Sequence, residues 1–185
     1  MSADGEKLLY GVFAATAVSD LFFDEAAFLA ATGATLTVSY PNIKAGSAVP
    51  YTENGLSMEQ KVGFLNGVQP YTPLLSGYEF GVSGAENINI TFGTTVTAFG
   101  LWMQDGFAIG DIGAPGKDSR FTFTFYAGAV VVTSFEVDPP IDEAFFVGLE
   151  LDQAVDRLEV REVGSTDGLG DQYNENDFFG VIYTK

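Results

Sequence analysis

Apolar and polar positions alternate along most of this chain with a period of two, the mark of strands with at least one buried face. The clearest run spans residues 87–104, where Ile88, Ile90 and Phe92 alternate with Asn87, Asn89 and Thr91. Beyond it, Thr97, Phe99, Leu101 and Met103 share one side, and Val96, Ala98, Gly100 and Trp102 share the other. Phe92, Gly93 and Thr94 lie between the two stretches and read as the turn of a hairpin. Residues 120–126 put Phe121, Phe123 and Phe125 on one face, and Ala127-Gly128 turns the chain into residues 129–136. Strands are also predicted over 35–40, 145–151, 155–163 and 177–183, and over 51–61 with a turn at Asn54-Gly55. Residues 62–84, punctuated by Gly, Pro and Ser, read as a long loop or a pair of irregular edge strands.

The period changes once, near residues 20–33. Asp24 is placed to cap a short helix at about residues 24–32, and Gly33 to end it. Phe28 and Leu29 would pin that helix to the sheets. The expected fold is therefore all-β, an antiparallel jelly-roll-like β-sandwich with one short helix. Its predicted core holds Phe28, Ile88, Ile90, Phe92, Phe99, Leu101, Phe121, Phe123, Phe125, Leu158 and Val160. No internal repeat or linker divides it; residues 20–185 form the sandwich, and residues 1–19 are an N-terminal extension.

Composition narrows the chemistry. A chain of 185 residues, 46% hydrophobic with 17 Phe, has apolar side chains enough for a core without disulfides, and it has no Cys to form them. A net charge of −17, with only eight Lys and Arg, repels nucleic acid and anionic membranes. It suits divalent cations, a high-salt habitat or plain solubility. No run of apolar residues is long enough for a membrane helix, so no membrane insertion is expected. Without His or Cys, Ser-His-Asp and Cys-His catalysts and the usual transition-metal sites are excluded. Carboxylate chemistry, or a hard cation held by oxygen ligands, remains.

Four stretches are candidates. Asp167, Asp171, Asn174, Asn176 and Asp177, interleaved with Gly168 and Gly170, form the densest oxygen cluster, and calcium needs six to eight oxygens on a bendable backbone. They are read either as a calcium site or as a solvated acidic turn. Trp102, the single Trp, shares its side with Ala98 and Gly100 and is either a stacking platform for a glycan or a packed core ring. The pairs Glu143 with Glu150, and Asp152 with Asp156, have the makings of a glycosidase dyad. Strand parity turns Glu150, Asp152, Glu159 and Arg161 outward, where charges solubilise, so no enzyme is expected. Finally, residues 8–18 are apolar and uncharged, with Leu8, Leu9, Tyr10, Val12 and Phe13 as the bulky members. They read as a strand of their own domain, a signal-like leader ending at Ala15-Thr16-Ala17, or a strand donated to a neighbouring copy to build a filament.

Taken in order, four motifs resemble the jelly-roll domains of secreted bacterial PEP-CTERM-type surface proteins over about residues 20–183. They are FDEAAFLAATG at 23–33, NITF at 89–92 with VTAFG at 96–100, FFVGL at 145–149 with VDRLEV at 155–160, and NDFFG at 176–180. The PEP sorting tail itself is absent from the sequence, which stops at Lys185. The resemblance implies a β-sandwich displayed at the cell surface or beyond the outer membrane, without a known enzymatic role. The sequence therefore points to a non-catalytic secreted surface or extracellular-matrix protein, self-assembling through its N-terminal strand. The alternative is a calcium-dependent carbohydrate-binding module.

Overall fold

The computed structural model describes residues 18–40, 50–64, 68–69, 79–104, 120–140, 143–163 and 176–185. In chain order the elements are β1 (Val18–Phe22), α1 (Glu25–Thr32), β2 (Thr35–Val38), β3 (Tyr51–Glu53), β4 (Leu56–Phe64) and β5 (Val68–Gln69). There follow β6 (Glu79–Gln104), β7 (Phe121–Ala127), β8 (Val130–Val137), β9 (Ala144–Glu162) and β10 (Asn176–Thr184). The fold is all-β and sandwich-like, mostly antiparallel, with one short helix.

The two longest strands build it. β6 and β9 run antiparallel beside each other from Ile88 opposite Val160 to Gln104 opposite Ala144. The ladder slips between Thr91 and Ala98, so both strands bend there and pass from one layer into the other. On one side of the bend the order is β3-β4-β6-β9-β7-β8, the open layer; on the other it is β2-β10-β6-β9-β1, the covered layer. In the covered layer Phe179 of β10 lies opposite Met103, Ile182 opposite Leu101 and Thr184 opposite Phe99.

Two expectations are corrected here. Gly93 does not close a hairpin between residues 87–92 and 96–104; both stretches belong to β6 and both pair with β9. Likewise residues 145–151 and 155–163 are one strand, β9. Gly93 is needed for a different reason. Its N–H donates to the Gly55 carbonyl at 2.6 Å, and a Cβ there would sit 2.6 Å from that same oxygen. The bend of β6 thus presses on the β3–β4 turn, where Asn54 and Gly55 both have positive φ, as a two-residue hairpin demands.

The layers face each other through an aromatic core. Phe121, Phe123 and Phe125 of β7 are fully buried, as are Ile88, Ile90, Leu158 and Val160. Phe99, in the covered layer, meets Phe125 of the open layer edge-on at 5.7 Å. Every residue of the predicted core is buried. The slipped register also turns Val96 inward with Phe99, against the simple parity of the sequence.

A third layer is the helix. The Asp24 carboxylate accepts from the Ala27 N–H at 2.8 Å, and Gly33 at φ 69° closes the helix by donating to the Leu29 carbonyl. Phe28 drops from it onto the outer side of the covered layer, against Ala98 and Phe146. It fits because Gly100 and Gly148 are cross-strand partners there; a Cβ on either would come 2.7 Å from the Phe28 ring. Burying that ring stabilises the helix on the sheet by about 2–3 kcal/mol. No helix among the described residues is long and apolar enough to cross a membrane.

At the other end of the covered layer β2 stops at Val38, because Tyr40 takes a left-handed conformation with φ 53°. The Glu53 carboxylate holds that turn by accepting from the N–H groups of Ser39 and Tyr40 at 3.1 and 2.9 Å. It accepts as well from the Tyr51 hydroxyl at 2.6 Å, and burial with this contact pushes the Tyr51 pKa up. The Tyr40 hydroxyl, fully buried, donates to the Phe179 carbonyl of β10.

Candidate functional site

Parity along β6 aims Trp102 to the same outer side as Ala98 and Gly100, and the helix lies over that side. The indole is half-buried, 5.5 Å from the Phe146 ring, and its Nε1 donates to Oε2 of Glu25 at 2.8 Å. The other oxygen of Glu25 accepts from the Tyr183 hydroxyl of β10. Burial, then the hydrogen bond to and charge of Glu25, push the Tyr183 hydroxyl up to about 12. One carboxylate in the first turn of α1 therefore clasps β6 and β10 together. The space that small neighbours leave beside the indole is filled by Phe28. The sequence marks Glu25 only as an acid in the first helical turn, where the helix dipole favours it.

On the open layer the same two strands present polar side chains outward. Glu59, Asn89, Glu159, Thr124 and Ser134 lie opposite one another in a row across β4, β6, β9, β7 and β8. Asn89 donates to Glu59 at 3.2 Å and accepts from Arg161 Nη2 at 2.5 Å. Arg161 reaches Glu159 at 3.1 Å, and Arg157 reaches the other Glu159 oxygen at 3.7 Å. The Arg157 guanidinium also lies 4.1 Å above the Tyr126 ring, whose hydroxyl donates to Glu159. Burial first, and then Glu159, push the Tyr126 pKa up. Arg120, paired with Glu136 at 3.8 Å, completes the set: all three arginines of the chain are on this layer. In a protein of charge −17 the charges of this network are balanced, three arginines against Glu59, Glu136 and Glu159.

A cleft of about 220 Å³ opens beside the bend, lined by Thr37, Asn54, Gly55, Leu56, Phe92, Gly93, Thr94, Val96 and Thr184. Among the described residues its lining carries hydroxyls and one amide, groups suited to hydrogen bonding.

The remaining candidates separate in space. Asp156 accepts from the Gly128 N–H at 2.8 Å and so caps the β7–β8 turn. Asp152 and Glu143 are exposed, and Glu150 sits half-buried opposite Ala98 and Asp20. Asp167, Asp171 and Asn174 lie outside the described residues, as do the side chains of Asn176 and Asp177, whose backbone opens β10. Leu8, Leu9, Tyr10, Val12 and Phe13 also lie outside them. Among the described residues no three acidic side chains converge as a metal site would require. Compared with known proteins, the chain matches no family model, no curated protein and no solved structure.

Proposed function

We propose that this chain is a non-catalytic structural protein of the bacterial cell surface or extracellular matrix, assembling through its N-terminal apolar segment. The observation that supports the reading is how the reactive side chains are used. Glu25, Trp102 and Tyr183 hold helix to sheet, and Glu53, Tyr51 and Tyr40 hold the turn after β2. Asp156 caps a turn, and Glu159 ties down Arg157, Arg161 and Tyr126. Groups that a catalyst would aim at substrate are here aimed at the fold. The high negative charge keeps such a protein soluble until it assembles, and calcium or salt would relieve the repulsion between copies.

Light scattering on the full chain and on a variant lacking residues 1–17, with and without calcium, tests the reading. Mass growth that needs residues 1–17 is the expected result; a full chain that stays monomeric in both conditions removes it.

One observation favours the alternative, calcium-dependent glycan binding: the polar row of Asn89, Glu159 and Arg161 beside Tyr126 on an open sheet face. On a glycan array that reading requires a signal lost on Arg161→Ala, whereas a platform at Trp102 requires loss on Trp102→Ala. Calcium titration by calorimetry tests Asp167, Asp171, Asn174, Asn176 and Asp177 directly.

A further inference from the structure

The cleft beside the bend is built where four segments meet, and its walls are tied to one another. Thr37 comes from β2, Asn54 and Gly55 from the β3–β4 turn, Thr94 from the bend of β6 and Thr184 from the end of β10. The Asn54 amide donates to the Thr37 carbonyl at 2.9 Å, and the Gly93 N–H donates to the Gly55 carbonyl at 2.6 Å. The hydroxyls of Thr37 and Thr184 lie 2.7 Å apart. These three bonds join β2 to the turn, the turn to the bend, and β2 to β10, so the shape of the cleft is set before any ligand arrives. A preformed site loses little conformational entropy when it binds.

Its lining is apolar on one side and polar on the other. Leu56, Phe92 and Val96 are buried, whereas Asn54 and Thr94 are exposed. Thr37 directs its hydroxyl proton to the Thr35 carbonyl at 3.2 Å, so Thr184 is the donor within the hydroxyl pair and keeps a lone pair for a ligand. Asn54 uses one amide hydrogen on Thr37 and retains the other hydrogen and its oxygen. The Thr94 hydroxyl adds a donor and an acceptor. The described lining holds no charged side chain. Without a carboxylate it lacks the ligands that a calcium ion takes. Without Lys or Arg it has nothing to hold an anion against a net charge of −17. A purely apolar guest would strip water from the hydroxyls and the amide and replace it with nothing. A neutral guest with one C–H face and several hydroxyls meets both sides, since each hydroxyl donates and accepts as the lining requires. The volume of about 220 Å³ lies below the roughly 300 Å³ at which drug-sized sites begin, which leaves room for one sugar ring and not for a chain.

We propose that this cleft is a binding site for a single neutral sugar ring. The ring seats its C–H face on Leu56, Phe92 and Val96 and turns its hydroxyls to Asn54, Thr94 and Thr184. The site is separate from the polar row of the open layer, and it stands whether or not copies of the chain assemble.

The test follows the amide shifts of the isotopically labelled full chain by NMR during titration with glucose, galactose and N-acetylglucosamine, with glucuronate as the charged comparison. At least one neutral sugar is expected to move the Gly55, Gly93, Thr94 and Thr184 amides saturably, with a Kd on the order of 1 mM. Glucuronate, repelled by the charge of the protein, is expected to bind at least about threefold more weakly. Thr94→Val and Thr184→Val each remove one hydroxyl from an exposed or half-buried position, and each should weaken binding by roughly threefold to tenfold. No saturable shift at these amides with any of the neutral sugars overturns the proposal, as does binding that both valine variants leave unchanged. Glucuronate binding as tightly as the neutral sugars overturns the neutral class. Shifts confined to Asn89, Glu159 and Arg161 put the sugar on the open layer and overturn the cleft. If a valine variant fails to fold, the parent titration and the glucuronate comparison decide.

Discussion

The strands β6 and β9 each pass through both layers, and their outward sides differ completely between the two. In the covered layer they show Ala98, Gly100, Phe146 and Gly148 to the helix; in the open layer they show Asn89, Arg157, Glu159 and Arg161 to solvent. The sequence of β9 carries the change within one strand. AFFVGL is nearly continuous in apolar residues, as a strand buried on both sides must be, whereas DRLEVRE alternates. The ladder is the same in both layers, so what sits on it is decided by side-chain size and charge alone. The covered layer buries its outward side under the helix, and the open layer leaves its outward side to solvent.

Breaking the covered side should cost most. Phe28→Ala empties a fully buried ring site and is expected to destabilise by about 3–5 kcal/mol, read from urea unfolding. A loss under 1 kcal/mol would mean that the helix contributes little. Gly148→Ala probes the same notch from below. Its new methyl meets the Phe28 ring at 2.7 Å and Phe146 at 2.9 Å, so about 1–3 kcal/mol should be lost, again by urea unfolding. Glu25→Ala removes the acceptor of Trp102 and Tyr183 while leaving Phe28 in place. About 1 kcal/mol is expected, with a shift in Trp102 emission as its direct readout.

The clasp also predicts a pH dependence. Tyr183 titrates near 12 in the folded chain against an ordinary value of 10.0, so the fold holds its proton more tightly than the unfolded chain does. Its contribution is complete below pH 10 and is lost as pH rises through 12. Tyr183→Phe should flatten the fall in melting temperature between those values relative to the parent; equal slopes would show the clasp to be thermodynamically silent. On the open side the effect should be smallest. Arg161→Ala cuts a half-exposed network, and exposed ion pairs contribute about 0–1 kcal/mol, so its melting temperature should barely move.

Legibility followed the range of the interaction. Asp24, Gly33 and the Phe121-Phe123-Phe125 alternation are local signals, and α1 and β7 lie where they point. The bend at Gly93 was misread because a glycine in a bent strand and a glycine in a hairpin turn look alike to pattern. Only the partner strand distinguishes them, and β9 is far off in sequence. Val96 faces inward for the same reason, since a slip in register cannot be seen in one strand. Parity placed Trp102 on the side of Ala98 and Gly100, but nothing near it names Glu25, 77 residues away, as its partner. Arg161 was readable as outward, while the convergence of all three arginines on one layer required the register of β7 and β8 with β9.

The long shared ladder governs how the chain can reach its fold. Gln104 and Ala144, the β6–β9 partners nearest in sequence, are about 40 residues apart, so a large loop must close before any of the ladder forms. The β7–β8 hairpin lies inside that loop, turns at Gly128, and can form within about 1–10 μs on its own. Its early formation shortens the loop, after which pairing can zip from Gln104 toward Ile88 and set both layers in one passage. Such non-local pairing places refolding in the range of about milliseconds to seconds. Stopped-flow emission from Trp102, two positions from the starting pair, should rise in that window and not in microseconds; a microsecond rise would mean that the ladder is not what limits the rate.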